Sequence, residues 1–193
     1  GKNYLHCLMI YNDDIHDLRL PKFNILELKT AYEKLTSDVS YTRGKVNGIL
    51  LNKVPESDTN DPRGIFWILN KDGVEKQREA YVDESQYTDL IPEIKSTYFE
   101  TIYNELSKYY ILGRMRILLL EPRKCLSFHR DPEPRLHIPI ISSPGALMIV
   151  DDFCTHMPAD GTTYYMNTEK YHGALNGSEE DRVHLVATVL KTK

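Results

Sequence analysis

Apolar residues in the first half of the chain follow two different periods. They recur at helical spacing over residues 24–37, which predicts an amphipathic helix. A longer apolar stripe predicts a second helix over residues 83–110. Short apolar runs predict strands at 45–51 and 64–69, and the segment 55–63 is rich in Pro, Asp, Ser and Asn, which indicates a loop.

From Gly113 onward the pattern is one of short apolar runs separated by Gly, Pro, Asn and Asp. We expect residues 151–161 to form a loop. Several short strands at this spacing are typical of a sandwich or barrel, so we expect a mostly β protein with helices packed on a jelly roll. The predicted strands cover residues 114–120, 125–130, 135–141, 146–150, 162–166, 171–175 and 181–190.

The length of 193 residues suits a single domain with its own core. We expect residues 1–112 to supply N-terminal helices and supporting strands, and residues 113–193 to form the jelly-roll core with the functional site. The composition is 41% hydrophobic and 27% charged, as in soluble globular proteins. A net charge of −4 argues against a general nucleic-acid binder, and no apolar run is long enough to predict a membrane span.

Three cysteines, Cys7, Cys125 and Cys154, are scattered along the chain without a CxxC pair. An odd, scattered set does not form a disulfide framework, so a reducing compartment is expected and we predict a cytoplasmic protein. Residues 1–12 lack a basic region followed by a long apolar run, and therefore no signal peptide is predicted.

A candidate metal site combines His129 and Asp131 with the distant His172. Two histidines and one carboxylate can occupy one face of an octahedral Fe(II) and leave three positions open. Residues two apart in an extended segment point to the same side, so His129 and Asp131 can reach one ion from one strand end. Taken alone, the pair also fits a surface or core histidine and a turn-forming aspartate before Pro132.

Cationic side chains in the neighbouring predicted strands strengthen the metal interpretation. A guanidinium such as Arg182 can hold a carboxylate with two parallel hydrogen bonds, as the distal carboxylate of 2-oxoglutarate requires. Arg135 and His137 share the face opposite the core side chains of their strand, where they need solvent or an anion. The alternative for Arg182 is a solvent-facing position on an edge strand.

Three further residues in the predicted strands have no fixed role. Arg114 and Arg116 have equal parity in the strand 114–120 and could bind an acidic substrate, although a solvated face is the simpler account. His184 has the parity of Arg182, so it either lies beside the co-substrate or fills space.

Several motifs together resemble the aspartyl/asparaginyl β-hydroxylase family. They are RLHIPI at 135–140, Tyr165-x-Asn167, His172, Asn176 and DRVHLV at 181–186. The resemblance covers roughly residues 114–190, and the combination is far more specific than any one motif.

The resemblance implies a 2-oxoglutarate-dependent oxygenase on a double-stranded β-helix, a cupin-like jelly-roll barrel. Some members have a serine where this chain has Leu118, which leaves the exact form of the co-substrate cradle open. The roles carried over by position are iron ligation and catalysis at His129, Asp131 and His172, and co-substrate contacts at Arg182, Arg135 and His137.

The resulting hypothesis is a dioxygenase that hydroxylates an amino acid side chain, free or in a peptide or protein, with release of succinate and CO₂. The expected cofactors are Fe(II), 2-oxoglutarate and O₂, with ascorbate as an accessory reductant. A non-catalytic metal- or ligand-binding jelly roll is the alternative, but a binding relic has no need of all of His129, Asp131, His172 and Arg182. A cupin isomerase or sugar-binding protein explains neither Arg182 nor the RLHIPI strand.

Overall fold

The computed structural model describes residues 12–42, 44, 47–58 and 60–193, so Cys7 and the start of the predicted strand 45–51 lie outside the described residues. The described chain is mostly antiparallel β-structure with two α-helices, α1 (Ile25–Asp38) and α2 (Tyr98–Leu106). Two 3₁₀ turns cover Glu84–Gln86 and Pro92–Ile94. The strands are β1 (Ile15–Asp17), β2 (Asn47–Leu50), β3 (Asn52–Lys53), β4 (Phe66–Leu69), β5 (Glu75–Arg78), β6 (Asp89–Leu90), β7 (Tyr110–Leu120), β8 (Lys124–Cys125), β9 (His129–Arg130), β10 (Arg135–Ile141), β11 (Ala146–Val150), β12 (Phe153–His156), β13 (Tyr164–Met166), β14 (His172–Asn176) and β15 (Arg182–Thr192).

Two antiparallel sheets form the jelly roll. One has the strand order β1-β13-β10-β15-β7-β2, and the other has the order β12-β11-β14-β9-β4-β5 with β8 also paired to β14. Neighbouring strands in each sheet are often far apart in sequence, as the crossing connections of a jelly roll require. The predicted fold class, a mostly β jelly roll with flanking helices, is therefore confirmed.

Side-chain alternation divides the central strands of the first sheet into two faces. On β10, Leu136, Ile138 and Ile140 are buried in the main apolar core together with residues of both helices. The intervening Arg135 and His137 face the interior between the sheets, as their parity predicts. The same alternation runs along β7 and β15, so the helices cover one face and polar side chains gather on the other.

Helix α1 confirms the helix predicted over residues 24–37. Asn24 caps its N-terminus, because the side-chain oxygen accepts hydrogen bonds from the backbone N–H groups of Leu26 and Glu27 at 3.0 and 3.3 Å. Leu28 and Leu35 are buried on the face that packs against the first sheet.

The helix predicted over residues 83–110 is wrong in extent, since only Tyr98–Leu106 is α-helical. Ile91 precedes Pro92 and takes an extended conformation, which the proline ring favours for the residue before it. Ser96 has a φ of 61°, in the left-handed region, and this breaks any helix that would continue from Pro92 into α2. The apolar stripe nevertheless reaches the core at Ile94, Ile102 and Leu106.

Most strands of the second half lie where the pattern predicts them, and β10 and β11 match to the residue. The predicted strand 125–130 is wrong as a single element, because it forms only the short β8 and β9. The predicted loop 151–161 contains β12, which pairs with β11. As an edge strand β12 is mostly half-exposed, so its sequence lacks a clear apolar alternation.

Strands before residue 113 extend both sheets, with β2 paired to β7 and β4 paired to β9. The division of the chain at residue 112 stays a prediction.

Cys125 and Cys154 are exposed free thiols. Among the described residues, no helix is long and apolar enough to cross a membrane.

A buried ion pair joins β7 to the 3₁₀ turn Glu84–Gln86, and the same arginine also contacts the segment before β4. Arg114 donates from Nε and Nη2 to the Glu84 carboxylate at 2.9 and 2.6 Å, and its Nη1 donates to the Arg63 carbonyl at 2.5 Å. Burial raises the pKa of Glu84, but Arg114 outweighs this effect and holds it below its usual value. A Cβ at Gly64 would lie 2.3 Å from Arg114 Nη2, so only glycine admits this close approach.

Replacement of Glu84 by glutamine should lower the free energy of unfolding by about 3 kcal/mol, because it leaves a buried guanidinium without its anion. Urea unfolding followed by circular dichroism measures this change. The control is Asp61→Asn, which removes an exposed pair with Arg63 and should cost under about 1 kcal/mol. Equal losses of unfolding free energy in the two variants would show that the buried pair stabilises the fold no more than the exposed pair does.

Candidate metal centre

Three side chains from two paired strands converge at one end of the barrel. His129 on β9 lies directly opposite His172 on β14 in the antiparallel pairing, and their ring centroids are 4.3 Å apart. Asp131 follows β9 immediately, with a backbone N–H that donates to the Thr168 carbonyl at 2.7 Å. The sequence separation of more than forty residues between the two histidines is thus closed by a single strand pair.

The ligand-type atoms of His129, Asp131 and His172 all lie within 4.8 Å of one another. His172 Nε2 is 3.3 Å from Asp131 Oδ2, and His129 Nε2 is 3.9 Å from Asp131 Oδ1. All three side chains are largely buried, with exposed fractions of 13%, 4% and 6% in chain order. The three predicted ligands are therefore brought together, at separations that one ion can span.

Backbone carbonyls set the direction in which each histidine presents its free nitrogen. The Nδ1 atom of His129 lies 2.5 Å from the Ser127 carbonyl, and that of His172 lies 3.0 Å from the Lys170 carbonyl. A carbonyl can only accept, so each Nδ1 carries the proton and each Nε2 keeps its lone pair. This arrangement is the one found in metal-bound histidines, whose second nitrogen donates to an oxygen.

Electrostatics hold His129 and Asp131 in the forms that bind a cation. Burial lowers the pKa of His129 to about 4, so its imidazole is neutral. Burial alone would raise the pKa of Asp131, but Arg135 and the two histidines outweigh it and keep that pKa well below its usual value. Asp131 Oδ2 lies 2.8 Å from Arg135 Nη2 as an ion pair, yet it accepts no well-aligned hydrogen bond from the described residues.

Thr168 is a supporting residue that the sequence analysis did not identify. Its hydroxyl donates to the Glu133 carbonyl at 2.6 Å, and its own carbonyl accepts from the Asp131 N–H. These two bonds fix the turn that carries Asp131. The only sequence signal nearby is the family motif ending at Asn167, which donates to Asp14 at 2.9 Å.

A cavity of about 260 Å³ adjoins the triad inside the barrel. Arg135, His137 and Arg182, the three residues predicted at the co-substrate, all line it. Leu118, where some family members have serine, also lines the cavity, so its wall is apolar at that point.

Arg182 is a buried cation at this cavity, 4% exposed. Its Nη2 donates to His184 Nδ1 at 2.9 Å and lies 2.8 Å from the Met148 sulfur, a weak acceptor. Burial lowers the pKa of Arg182 to about 10, which still leaves it charged. Within the part of the chain that the structure describes, no carboxylate lies within ion-pair distance of it. His184 contacts Arg182 but does not line the cavity. It therefore orients the guanidinium from outside the cavity.

A second cavity of about 360 Å³ lies on another side of the triad. It shares His129, Arg135 and Leu118 with the first and adds Asp131 and Arg116. The simpler expectation for Arg116, a solvated face, is wrong, because the residue is only 3% exposed. In the sequence, the signal for Arg116 was that it shares a strand face with Arg114. That signal does not show which residues cover this face.

The sequence profile of the aspartyl/asparaginyl beta-hydroxylase family matches residues 93–192, more than half of the chain and the part that holds the triad and Arg182. The chain belongs to this family. No curated protein matches it in sequence. Family membership makes the chain an oxygenase of the hydroxylase type, as the resemblance of its motifs indicated.

Solved structures resemble this hydroxylase-family chain at low sequence identity and to different degrees. An oxidoreductase of the 2OG-Fe(II) oxygenase family from Burkholderia pseudomallei is 13% identical, covers 92% of this chain and 84% of its own, and has a TM-score of 0.55. A viral collagen prolyl hydroxylase from Paramecium bursaria Chlorella virus-1 is 8% identical, with coverages of 86% and 91% and a TM-score of 0.44. A cupin domain from Bordetella pertussis is 14% identical and covers 43% of this chain and 95% of its own, at a TM-score of 0.35. Only the first of these three likenesses is strong enough to support the shared fold.

The donor set fits a divalent transition metal and fits structural zinc poorly. Two imidazoles and one carboxylate leave positions open on the ion, whereas closed structural zinc sites use four protein ligands rich in cysteine. Cys125, the thiol that lines both cavities, is not among the three clustered groups.

Replacement of His172 by alanine should weaken metal binding by more than the about 10- to 100-fold typical of losing an outer-shell partner, since it removes one of three ligands. Calorimetric titration of the metal-free protein with Mn(II) measures the affinity, and circular dichroism verifies the fold. His156→Ala serves as the control, because His156 contacts Ser142 away from the triad. Unchanged Mn(II) affinity in the His172 variant would remove His172 from the site.

Proposed function

We propose that the chain is an Fe(II)- and 2-oxoglutarate-dependent dioxygenase that hydroxylates an amino acid side chain, free or in a peptide. The observation that carries this proposal is the convergence of His129, Asp131 and His172 beside a cavity lined by Arg182, a buried arginine without a carboxylate partner among the described residues. A 2-His-1-carboxylate face with open positions is typical of non-haem Fe(II) oxygenases. The fold shared with the Burkholderia pseudomallei oxygenase is consistent with it.

Each residue of the site has a distinct task in this proposal. His129, Asp131 and His172 would hold Fe(II), which activates O₂ while 2-oxoglutarate is decarboxylated to succinate. Arg182 would bind the distal carboxylate of 2-oxoglutarate through two parallel hydrogen bonds, and His184 would keep the guanidinium in position.

The two histidines next to Arg182, His137 and His184, are neutral and add no positive charge beside its guanidinium. Burial, followed by the nearby arginines, lowers the pKa of His137 well below its usual value, and burial and Arg182 do the same for His184. Neutral His184 keeps the Nδ1 lone pair that accepts from Arg182. His137 lines the cavity, and its buried Nε2 atom has no hydrogen-bond partner among the described residues.

Apolar side chains keep water from the reacting centre. Leu118, Met148, Met166 and Ala174 line the Arg182 cavity between the two sheets. Exclusion of water strengthens the electrostatic contacts in the site and suppresses side reactions of activated oxygen.

The test is an assay of 2-oxoglutarate turnover with Fe(II) and ascorbate over a panel of amino acids and peptides. We expect formation of succinate that depends on one class of compound and a mass gain of one oxygen atom in that compound. A protein that binds the metal and 2-oxoglutarate but never forms succinate would favour the non-catalytic jelly roll instead.

Replacement of Arg182 by alanine should raise the KM for 2-oxoglutarate by about 100-fold or more, because loss of a buried ion-pair partner costs about 3–5 kcal/mol. Steady-state assays of succinate formation measure it. Arg78→Ala is the control, since Arg78 is exposed on β5 and lines neither cavity. An unaltered KM in the Arg182 variant would contradict its assigned role.

A further inference from the structure

The turn formed by residues 167–170 places two of the three candidate metal ligands. The Thr168 carbonyl accepts a hydrogen bond from the backbone N–H of Asp131 at 2.7 Å. The Lys170 carbonyl lies 3.0 Å from His172 Nδ1 and orients that ring. Partners of this kind, one step beyond the ligands, govern how well a site holds its metal. The position of this turn therefore decides whether the two ligands converge.

Asp14 contacts both ends of this turn from a distant part of the chain. Its Oδ1 accepts a hydrogen bond from Asn167 Nδ2 at 2.9 Å, and its carbonyl accepts one from the Asn167 backbone N–H at 2.7 Å. Its Oδ2 accepts a hydrogen bond from Lys170 Nζ at 2.8 Å. The bond from Lys170 lowers the pKa of Asp14, so the carboxylate is charged at neutral pH. One residue thus holds the turn at its first and last positions.

Asp14 is itself fixed by the strand that follows it. Ile15 begins β1, pairs with Met166 on β13, and is 2% exposed in an apolar cluster that also contains Met148. The Asp14 backbone N–H donates to the side-chain oxygen of Asn12 at 2.8 Å. The Asp14 carboxylate therefore has a defined position from which it can hold the turn.

The exposure of these groups favours a local role over a general stabilising one. Lys170 is 46% exposed, and an ion pair with so exposed a partner contributes little to the free energy of unfolding. A metal site is more sensitive, because loss of an outer partner typically weakens metal binding by about 10- to 100-fold. The contacts of Asp14 are therefore expected to affect metal affinity more than overall stability.

We propose that Asp14 is a positioning residue of the metal centre, which holds the turn 167–170 so that Asp131 and His172 face one ion. Asp14 acts on these ligands through the turn. It lies outside residues 93–192, which match the family profile, so a segment near the start of the chain takes part in a site whose ligands come from the second half. The inference rests on the metal centre of the proposed function and does not depend on 2-oxoglutarate turnover.

The test measures the affinity of metal-free protein for Mn(II) by calorimetric titration. Asp14→Ala should weaken binding by about 10-fold, the lower end of the range for outer partners, because Asp14 acts through the turn. Asp14→Asn keeps an acceptor for Asn167 but loses the charge that binds Lys170, so it should show a smaller loss in the same direction. The visible absorption of bound Co(II), which responds to ligand geometry, should change in Asp14→Ala.

Two matched variants show whether any change in this part of the chain has the same effect. Asp13→Ala removes the exposed acidic neighbour of Asp14, and Lys22→Ala removes an exposed ion pair with Asp160. Both should change the Mn(II) affinity by less than about twofold and leave the Co(II) spectrum as in the wild-type protein. Circular dichroism and the Tm of the metal-free protein verify that each variant is folded.

Unchanged Mn(II) affinity in Asp14→Ala, an equal loss in either control, or weaker binding with a wild-type Co(II) spectrum would overturn the proposal. If Asp14→Ala does not fold, Asp14→Asn decides by the same criteria. Mn(II) binding that depends on Asp14 without any succinate formation would support the positioning role and contradict the proposed oxygenase activity. Succinate formation with a Mn(II) affinity independent of Asp14 would do the reverse. A wild-type protein that binds no Mn(II) would overturn both.

Discussion

Strict alternation of side chains along β7, β10 and β15 is the constraint on which the rest of the structure depends. Each strand presents apolar residues to the helices and both polar and apolar residues, such as Arg116 and Leu118, to the space between the sheets, because successive side chains of a strand point to opposite faces. Burial of the apolar face therefore forces Arg116, His137 and Arg182 into the barrel interior. The same hydrophobic packing that stabilises the sheet also delivers the charges that the site uses.

Those interior charges differ in how they are compensated. Arg114 has Glu84, and Arg135 lies beside Asp131, whereas Arg116 and Arg182 have no carboxylate partner among the described residues. A stable fold can carry a few such unpaired buried cations when the rest of the core is well packed. Arg182 lines one cavity and Arg116 the other, and the two cavities meet at the candidate metal centre.

The two cavities also differ in their origin along the chain. The region matched by the family profile, residues 93–192, contains the triad and most of the co-substrate cavity. The second cavity takes one wall from earlier residues, including Pro62, Gly64 and Phe66. Arg114 and Arg116 hold this segment through hydrogen bonds to the carbonyls of Arg63 and Pro62. A larger part of the second cavity than of the first therefore comes from residues outside the matched region.

The sequence by itself determined the second-half strands, the helix α1, the fold class and the residues gathered at the triad. Period-two alternation and the His/Asp/His set can both be read from the order of residues along the chain. It did not determine the extent of α2, where Pro92 and Ser96 override an apolar stripe, or the edge strand β12, whose side chains carry little apolar contrast. Whether Arg116 is buried or exposed was decided only by the tertiary structure. Its parity placed the side chain on one face of β7, but the burial of that face depends on a segment distant in sequence that covers it.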